Sequence, residues 1–343
     1  MELTTIWFIV IAALWVGYFV LEGFDFGVGI LLRVLGRDEP ERRAVITTIG
    51  PVWDGNEVWL IVAGGATFAA FPEWYATLFS GFYLPLFAIL VALILRGVAL
   101  EYRGKRDDLV WRSRMDTMIT IGSVVPALLW GITFANLVRG VPIDSSHEFV
   151  GNLGSLLSPF ALLGGVAFTA VFVAHGAIFL ALKTTGELRQ RANRFASLSG
   201  LAAAVLAVGF LAWAHGMRGD VASAVVAGVA AVALLAGLVA NRFRREGWAF
   251  VGTAVAVGLS VVSLFAAMFP DVMPSSLDPA WSLTTTNAAS TPYTLKALTI
   301  IAGIFTPLVL LYQGWTYWVF RKRITVEPVT VTPLTPPQPG PVS

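Results

Sequence analysis

The chain has 343 residues, of which 57% are hydrophobic and 13% charged, and its mean hydropathy is +0.76. This composition excludes an ordinary soluble globular domain and indicates that lipid surrounds most of the chain. The chain has no cysteine, which excludes disulfides, thiolate catalysis, iron–sulfur ligation and cysteine-based metal sites.

A helix needs roughly 20 mainly apolar residues to cross the hydrocarbon core of a bilayer. The sequence contains nine such stretches, which predicts an all-α membrane protein with about nine transmembrane helices. The first stretch lacks a basic leading segment and a small-residue cleavage site, so we expect a retained span and not a signal peptide. In chain order the stretches are residues 5–32, 46–70, 77–100, 117–138, 155–182, 197–215, 221–240, 248–268 and 293–320.

The basic residues predict the orientation of these spans. All but four of the 23 lysines and arginines fall in five segments that would lie on one side of the membrane, at 33–43, 103–114, 183–194, 242–245 and 321–323. Because basic segments stay in the cytoplasm, the N-terminus should lie outside and the C-terminus inside. Such short, scattered basic segments together with a net charge of +2 also argue against nucleic-acid binding.

Two further segments differ in composition from the spans. The outer connection 269–292 is rich in Ser, Thr, Asn and Pro and suits a structured loop on the membrane surface. The tail 326–343 is Pro-rich, which is typical of a disordered end. We therefore expect one polytopic transmembrane domain over residues 1–325, followed by a disordered cytoplasmic tail over 326–343.

Five ionisable residues fall inside the predicted spans, where each costs roughly 2.5 to 3.5 kcal/mol to insert. Glu22 and Asp25 are three residues apart on the first span, and Asp54 and Glu57 have the same spacing on the second. Residues with this spacing share one face of a helix. Arg96 on the third span is the only cation among the five. All five fall in the cytoplasmic half of the bilayer, so we expect them to form one cluster.

The cluster allows three interpretations. Four acids cannot be neutralised by one arginine, so some carboxyls would exchange protons, as a proton path from the cytoplasm requires. Alternatively, the cluster is a structural clamp that holds three helices together. A proton-coupled secondary transporter would also carry buried acids, although it should show interrupted helices in two matching repeats, which this sequence does not show convincingly.

Histidines are the remaining candidates for a haem ligand or a proton relay. His147 and His215 are predicted at the outer surface, and only His175 lies at membrane depth. A packing histidine is the more common case there. No two histidines have a spacing that would clamp a haem, so we expect no metal site in this chain.

Several motifs along the whole chain resemble subunit II of cytochrome bd quinol oxidases. They are GFDFGVG in the first span, GPVWDGNEVWLI in the second, LRGVALEYR in the third and MFPDVMPSSLDPAWSLT in the late outer loop. The motifs occur in the same order as in that family. The resemblance implies two four-helix bundles plus one extra helix, in a bacterial inner-membrane complex that passes electrons from quinol to oxygen.

The resemblance also implies how the work is divided between subunits. Haems b and d would be held by subunit I, the partner of this chain, with quinol and oxygen as the substrates of the complex and membrane lipids around it. This chain would support subunit I and supply a cytoplasmic proton path, so that proton motive force arises without pumping. Asp25 and Asp54 match the acidic positions of the family's motifs, and Glu22 and Glu57 would assist them. Trp53 and Arg96 match positions near which some relatives hold a structural quinone.

Overall fold

The computed structural model describes residues 2–326, and these residues are mostly α-helical. The predicted all-α architecture is thereby confirmed. Apart from Val326, the Pro-rich tail lies outside the described residues, and the division into a domain and a tail stays a prediction. The helices are α1 (Leu3–Leu35), α2 (Glu39–Ile49), α3 (Trp53–Ala70), α4 (Pro72–Gly81), α5 (Tyr83–Tyr102), α6 (Leu109–Arg139), α7 (Pro159–Lys183), α8 (Gly186–Arg218), α9 (Val221–Arg242), α10 (Glu246–Met268) and α11 (Pro292–Val319).

Eight helices of the described chain are long and apolar enough to cross a membrane, namely α1 and α5 to α11. The second predicted span corresponds to α3, which has 18 residues and carries Asp54 and Glu57 near its start. The count of nine spans and the orientation therefore stay predictions.

The second and third predicted spans each contain a break that the apolar pattern did not reveal. Residues 46–70 were expected to be one helix, but α2 ends at Ile49 and α3 begins at Trp53. Pro51 lies between them and lacks the backbone N–H that a continuous helix needs. Residues 77–100 are also divided, because α4 ends at Gly81 and α5 begins at Tyr83.

The long helices pack as two groups. One group contains α1, α3, α5 and α6, the other contains α7 to α10, and α11 lies beside α1 and α3. This agrees with two four-helix bundles and an extra helix. Helices α1 and α6 join the groups through close contact with α7. A Cβ atom added at Gly27 would lie 2.0 Å from the carbonyl oxygen of Phe172 and 2.9 Å from the Cα of Gly176, so only glycine allows this approach.

The outer connections are ordered against each other. Strands β1 (Asp271–Met273) and β2 (Leu283–Thr284) form a small antiparallel sheet in the loop predicted to be structured. Val141 of the earlier connection accepts a hydrogen bond of 2.9 Å from the amide of Ser276 and donates one of 3.1 Å to the carbonyl of Pro274. This layer closes the end of the molecule opposite the basic segments.

Candidate functional site

Glu22 and Arg96 form a fully buried ion pair between α1 and α5. Both side chains have no exposed surface, and an Arg96 Nη atom donates to Glu22 Oε1. The guanidinium also lies over the ring of Phe26, 4.9 Å from its centroid. A buried charge pair is costly unless both charges are well partnered. Of the four acids expected to cluster with Arg96, Glu22 is the one that forms an ion pair with it in residues 2–326.

Asp25 lies one helical turn from Glu22, and its carboxyl accepts a hydrogen bond from an amide. Asn56 of α3 donates a hydrogen bond of 2.6 Å to Asp25 Oδ2, and both side chains are fully buried. Within residues 2–326 no arginine, lysine or histidine forms an ion pair with Asp25. Asp25 can therefore accept or release a proton without breaking an ion pair.

Asn56 extends the cluster to α11, the most exposed helix. Its side-chain oxygen accepts hydrogen bonds from Gln313 Nε2 at 2.9 Å and from the hydroxyl of Tyr317 at 2.8 Å. Tyr317 lies two residues before the end of α11, on the side of the basic segments. The chain of contacts from Tyr317 through Asn56 to Asp25 therefore leads from that side into the protein.

Four buried polar atoms of this cluster have no hydrogen-bond partner in the described part of the chain. They are Glu22 Oε2, Asp25 Oδ1, Arg96 Nε and the second Nη atom of Arg96. Buried polar atoms in native proteins are nearly always paired with protein groups or with water. Four such atoms in one cluster indicate a site built to hold water or a polar ligand.

The two acids of α3, Asp54 and Glu57, lie in different environments. Glu57 is half-buried, whereas Asp54 is exposed on the surface of α3. The sequence predicted one cluster inside the membrane spans, but Asp54 is not buried with the other acids, because α3 turns that residue away from α1. With 100° per residue, Glu57 lies between Asn56 and Asp54 around the helix axis.

Trp53 of α3 packs against α5 at Gly97, the residue after Arg96. A Cβ atom added at Gly97, the residue after Arg96, would lie 3.4 Å from the ring of Trp53. A cavity of about 530 Å³ opens between α3, α4 and α5, with mainly aromatic and aliphatic walls. Leu60 and Leu93 in its wall lie one helical turn beyond Glu57 and Arg96.

A second ionic network lies at the basic end, outside the spans. Arg103 makes two hydrogen bonds to Glu39 of α2, at 2.8 and 2.9 Å, and one of 2.5 Å to the fully buried Asp116 of α6. Glu41 of α2 pairs with Arg191 of α8 at 2.6 Å. Helix α2 is thus tied by ion pairs to both helix groups.

These ion pairs change the acidity of the two glutamates of α2. Partial burial raises the pKa of Glu39, but the hydrogen bonds and charge of Arg103, with smaller contributions from Arg112 and Arg42, outweigh burial and lower the pKa. Partial burial also raises the pKa of Glu41, and the hydrogen bond from Arg191 reverses this effect and lowers the pKa.

His175 is fully buried and both of its ring nitrogens are engaged. Nδ1 lies 2.7 Å from the hydroxyl of Thr253, Nε2 lies 3.3 Å from the carbonyl of Val20, and the ring stacks on Phe250. This geometry suits a packing histidine that joins α1, α7 and α10. Among residues 2–326 no group of three or more His, Cys, Asp or Glu side chains could hold a metal ion.

Sequence reasoning missed several members of the site. Asn56 could have been found, because it is a polar residue of the WDGN motif at membrane depth. Gln313 and Tyr317 gave no signal, because they are more than 250 residues from Asn56 in the sequence and contact it only in the folded chain. Asp116 lies just before the fourth predicted span, and its complete burial could not be read from that position.

Comparisons with known proteins agree with this architecture. A profile of the family described as cytochrome bd terminal oxidase subunit II matches residues 3–320. Cytochrome bd ubiquinol oxidase subunit 2 of Bacillus subtilis strain 168 is 43% identical over 336 residues, covering 96% of this chain and 99% of the relative. Cytochrome bd-I ubiquinol oxidase subunit 2 of Escherichia coli K12 is 36% identical over 362 residues, covering 94% and 96%.

A solved structure is also similar in fold. One chain of the bd oxidase from Geobacillus thermodenitrificans superposes with a TM-score of 0.73, covering 94% of this chain and 100% of that chain at 18% identity. At this identity the match supports the helical architecture alone.

Proposed function

The chain belongs to the family of cytochrome bd terminal oxidase subunit II, and on this premise we propose that it conducts protons from its basic side to a partner subunit that reduces oxygen. Family membership makes the chain a subunit of a quinol oxidase, an oxidoreductase of the respiratory chain. It is a multi-pass protein of the bacterial inner membrane. The matches give no support to a transporter or to a purely structural subunit.

The observation that carries the proposal is the environment of Asp25. It is a fully buried carboxyl that has an amide partner on one oxygen, while its other oxygen has no partner in the described chain. Asn56 orients the carboxyl and keeps it at the inner end of the contacts that start at Tyr317. Asp25 is therefore the residue that accepts protons arriving from the basic side.

Glu22 has a different role because Arg96 already neutralises it. A carboxylate held in a buried ion pair cannot take up a proton without leaving the charge of its buried partner alone. The Glu22–Arg96 pair instead provides a fixed field beside Asp25. The unpaired oxygens of Glu22 and Asp25 are positions to which water can donate hydrogen bonds, and a row of such waters would carry protons to Asp25.

From Asp25, protons reach the partner subunit by way of α3. Glu57 lies between the buried and the exposed faces of this helix, and Asp54 stands on the exposed face. A carboxyl on the lipid-facing surface of a membrane helix is energetically unfavourable. A partner subunit that covers this surface would remove the contact with lipid. We assign Asp54 as the point at which protons leave this chain for the haem-bearing subunit I.

Haem belongs to the complex, and both nitrogens of His175, the histidine predicted at membrane depth, are engaged within the protein. We therefore place haems b and d in subunit I, where oxygen is reduced with quinol as the electron donor. Protons taken from the cytoplasm for that reaction generate proton motive force without a pump.

A structural quinone fits the residues beside this path. Arg96 has two buried N–H groups without a partner in the described chain, and these could donate hydrogen bonds to a quinone carbonyl. The ring of Trp53 packs against the neighbouring Gly97, and the apolar cavity that starts one turn away suits an isoprenoid tail. A Cβ added at Gly64 in the cavity wall would have nothing within 4 Å, so a larger side chain fits there and occupies the cavity. Gly64→Phe should therefore displace the quinone and leave turnover intact.

The experiment that tests the proton path is quinol-driven oxygen consumption by the purified complex carrying Asp54→Asn, with haem content measured on the same sample. We expect full haem content and a loss of turnover of at least tenfold, with partial recovery in Asp54→Glu. Glu73→Gln, an exposed acid in the first turn of α4 at the opposite end, is the matched control. Normal turnover in Asp54→Asn would overturn the role of Asp54.

A further inference from the structure

A second cavity, of about 270 Å³, lies at the basic end between α2 and the end of α5. Its walls include Arg43 and Thr47 of α2, Leu100 of α5, and Arg103 and Lys105 of the turn that follows α5. It is separate from the acidic cluster and from the apolar cavity near the outer layer. We propose that this cavity binds the phosphate of an anionic membrane phospholipid.

The charges in the cavity favour an anion. Arg43 and Lys105 are exposed at its mouth, and neither forms an ion pair with any residue in the range 2–326. Arg103 in the wall forms ion pairs with Glu39 and Asp116. Its charge is therefore already neutralised and adds nothing to the excess of positive charge. Glu101 also lines the cavity and offsets one positive charge, which leaves an excess of one cation.

The surroundings favour a lipid over a free anion. The cavity lies at the end of the molecule that carries the basic segments, which is the predicted level of the cytoplasmic headgroups. Basic pockets at this level between membrane helices are suited to anionic headgroups. A phosphate held by Arg43 and Lys105 would stand where the surface of the membrane meets α5.

The outer surface of α5 provides the place for acyl chains. Val98, Ile94, Val91 and Phe87 are exposed and recur at helical spacing from the cavity towards the other side of the membrane. The cavity and this apolar stripe are therefore continuous along one helix. A phosphodiester site joined to an apolar stripe matches the two parts of a phospholipid.

The test compares lipids on the intact purified complex after delipidation in detergent. Dioleoylphosphatidylglycerol, dioleoylphosphatidylcholine and sodium phosphate are titrated separately while the midpoint of thermal unfolding is recorded. We expect phosphatidylglycerol to raise the midpoint at concentrations at which the other two have little effect. The double variant Arg43→Gln/Lys105→Gln should need roughly tenfold to thirtyfold more phosphatidylglycerol, as expected for the loss of two cations near the membrane surface.

Arg194→Gln/Arg242→Gln is the matched control, because both arginines are exposed at the same end and form no ion pair in the part of the chain that the structure describes. The control should behave like the unmodified complex. The proposal would be overturned if sodium phosphate stabilised the complex as strongly as phosphatidylglycerol did. It would also be overturned if the double variant and the control needed the same lipid concentration.

Discussion

Asn56 donates a hydrogen bond of 2.6 Å to Asp25, and this bond joins α3 to α1 at the centre of the proposed proton path. The same side chain accepts hydrogen bonds from Gln313 and Tyr317 of α11. One amide therefore fixes the orientation of the buried carboxyl and connects it to the helix that has the fewest other contacts.

Replacing Asn56 should reduce turnover more than it reduces assembly. Asn56→Leu leaves Asp25 Oδ2 and the Tyr317 hydroxyl without their partners, and each unpaired buried group costs about 1 to 3 kcal/mol. We expect a loss of quinol-driven oxygen consumption of at least tenfold with haem retained. Tyr317→Phe, which keeps the ring and Asn56, should give a smaller loss. Equal turnover in Asn56→Leu and the unmodified complex would contradict this role.

Removing one partner of the Glu22–Arg96 pair should be worse than removing both. Arg96→Leu leaves a buried carboxylate alone, at a cost of about 3 to 5 kcal/mol, whereas Glu22→Leu/Arg96→Leu leaves no buried charge. The measurements are the yield of assembled complex and its thermal midpoint. The double variant should recover assembly but not turnover, because the fixed field beside Asp25 is gone. A double variant less stable than Arg96→Leu would refute this explanation.

The contact between α1 and α7 should tolerate no side chain at Gly27. A Cβ there would lie 2.0 Å from the carbonyl oxygen of Phe172, which is backbone and cannot move aside. We expect Gly27→Ala to lower the yield of assembled complex severely. Gly209→Ala is the control, since a Cβ at Gly209 would have nothing within 4 Å. Similar yields from the two variants would show that this helix contact is not close.

Acid should weaken the ion pairs that hold α2. The pKa values of Glu39 and Glu41 are below their ordinary value in the folded chain, so both pairs stabilise it above the unfolded-state pKa. This contribution is lost as pH falls below about 4.3 and through the folded-state pKa. The thermal midpoint of the complex, followed from about pH 7 to pH 3, should fall less steeply on the acid side in Glu39→Gln/Glu41→Gln. Parallel profiles would contradict the assignment.

Much of the fold could be predicted because lipid imposes a simple rule on sequence. Long apolar stretches predicted α1 and α5 to α11, since a membrane span needs both length and low polarity. The breaks at Pro51 and Phe82 were missed because each lies within a stretch whose average composition is apolar enough for one span. Hydropathy reports average polarity and does not locate short interruptions.

The charged residues of the site were predictable, but their orientation was not. Buried acids and Arg96 stood out because charge is rare in a span. The exposure of Asp54 could not be predicted, since α3 is apolar on several faces and its rotation depends on neighbours that contact it from distant parts of the chain. Gln313 and Tyr317 belong to the site only through such contacts.

The most direct test of the proton path is the rate of proton uptake when the fully reduced complex reacts with oxygen, followed by a pH-sensitive dye. The measurement compares the unmodified complex with Asp25→Asn, whose side chain keeps its size but cannot carry a proton. We predict that oxygen binding and haem content stay normal while proton uptake slows at least tenfold. Proton uptake at the unmodified rate in Asp25→Asn would contradict a path through this chain.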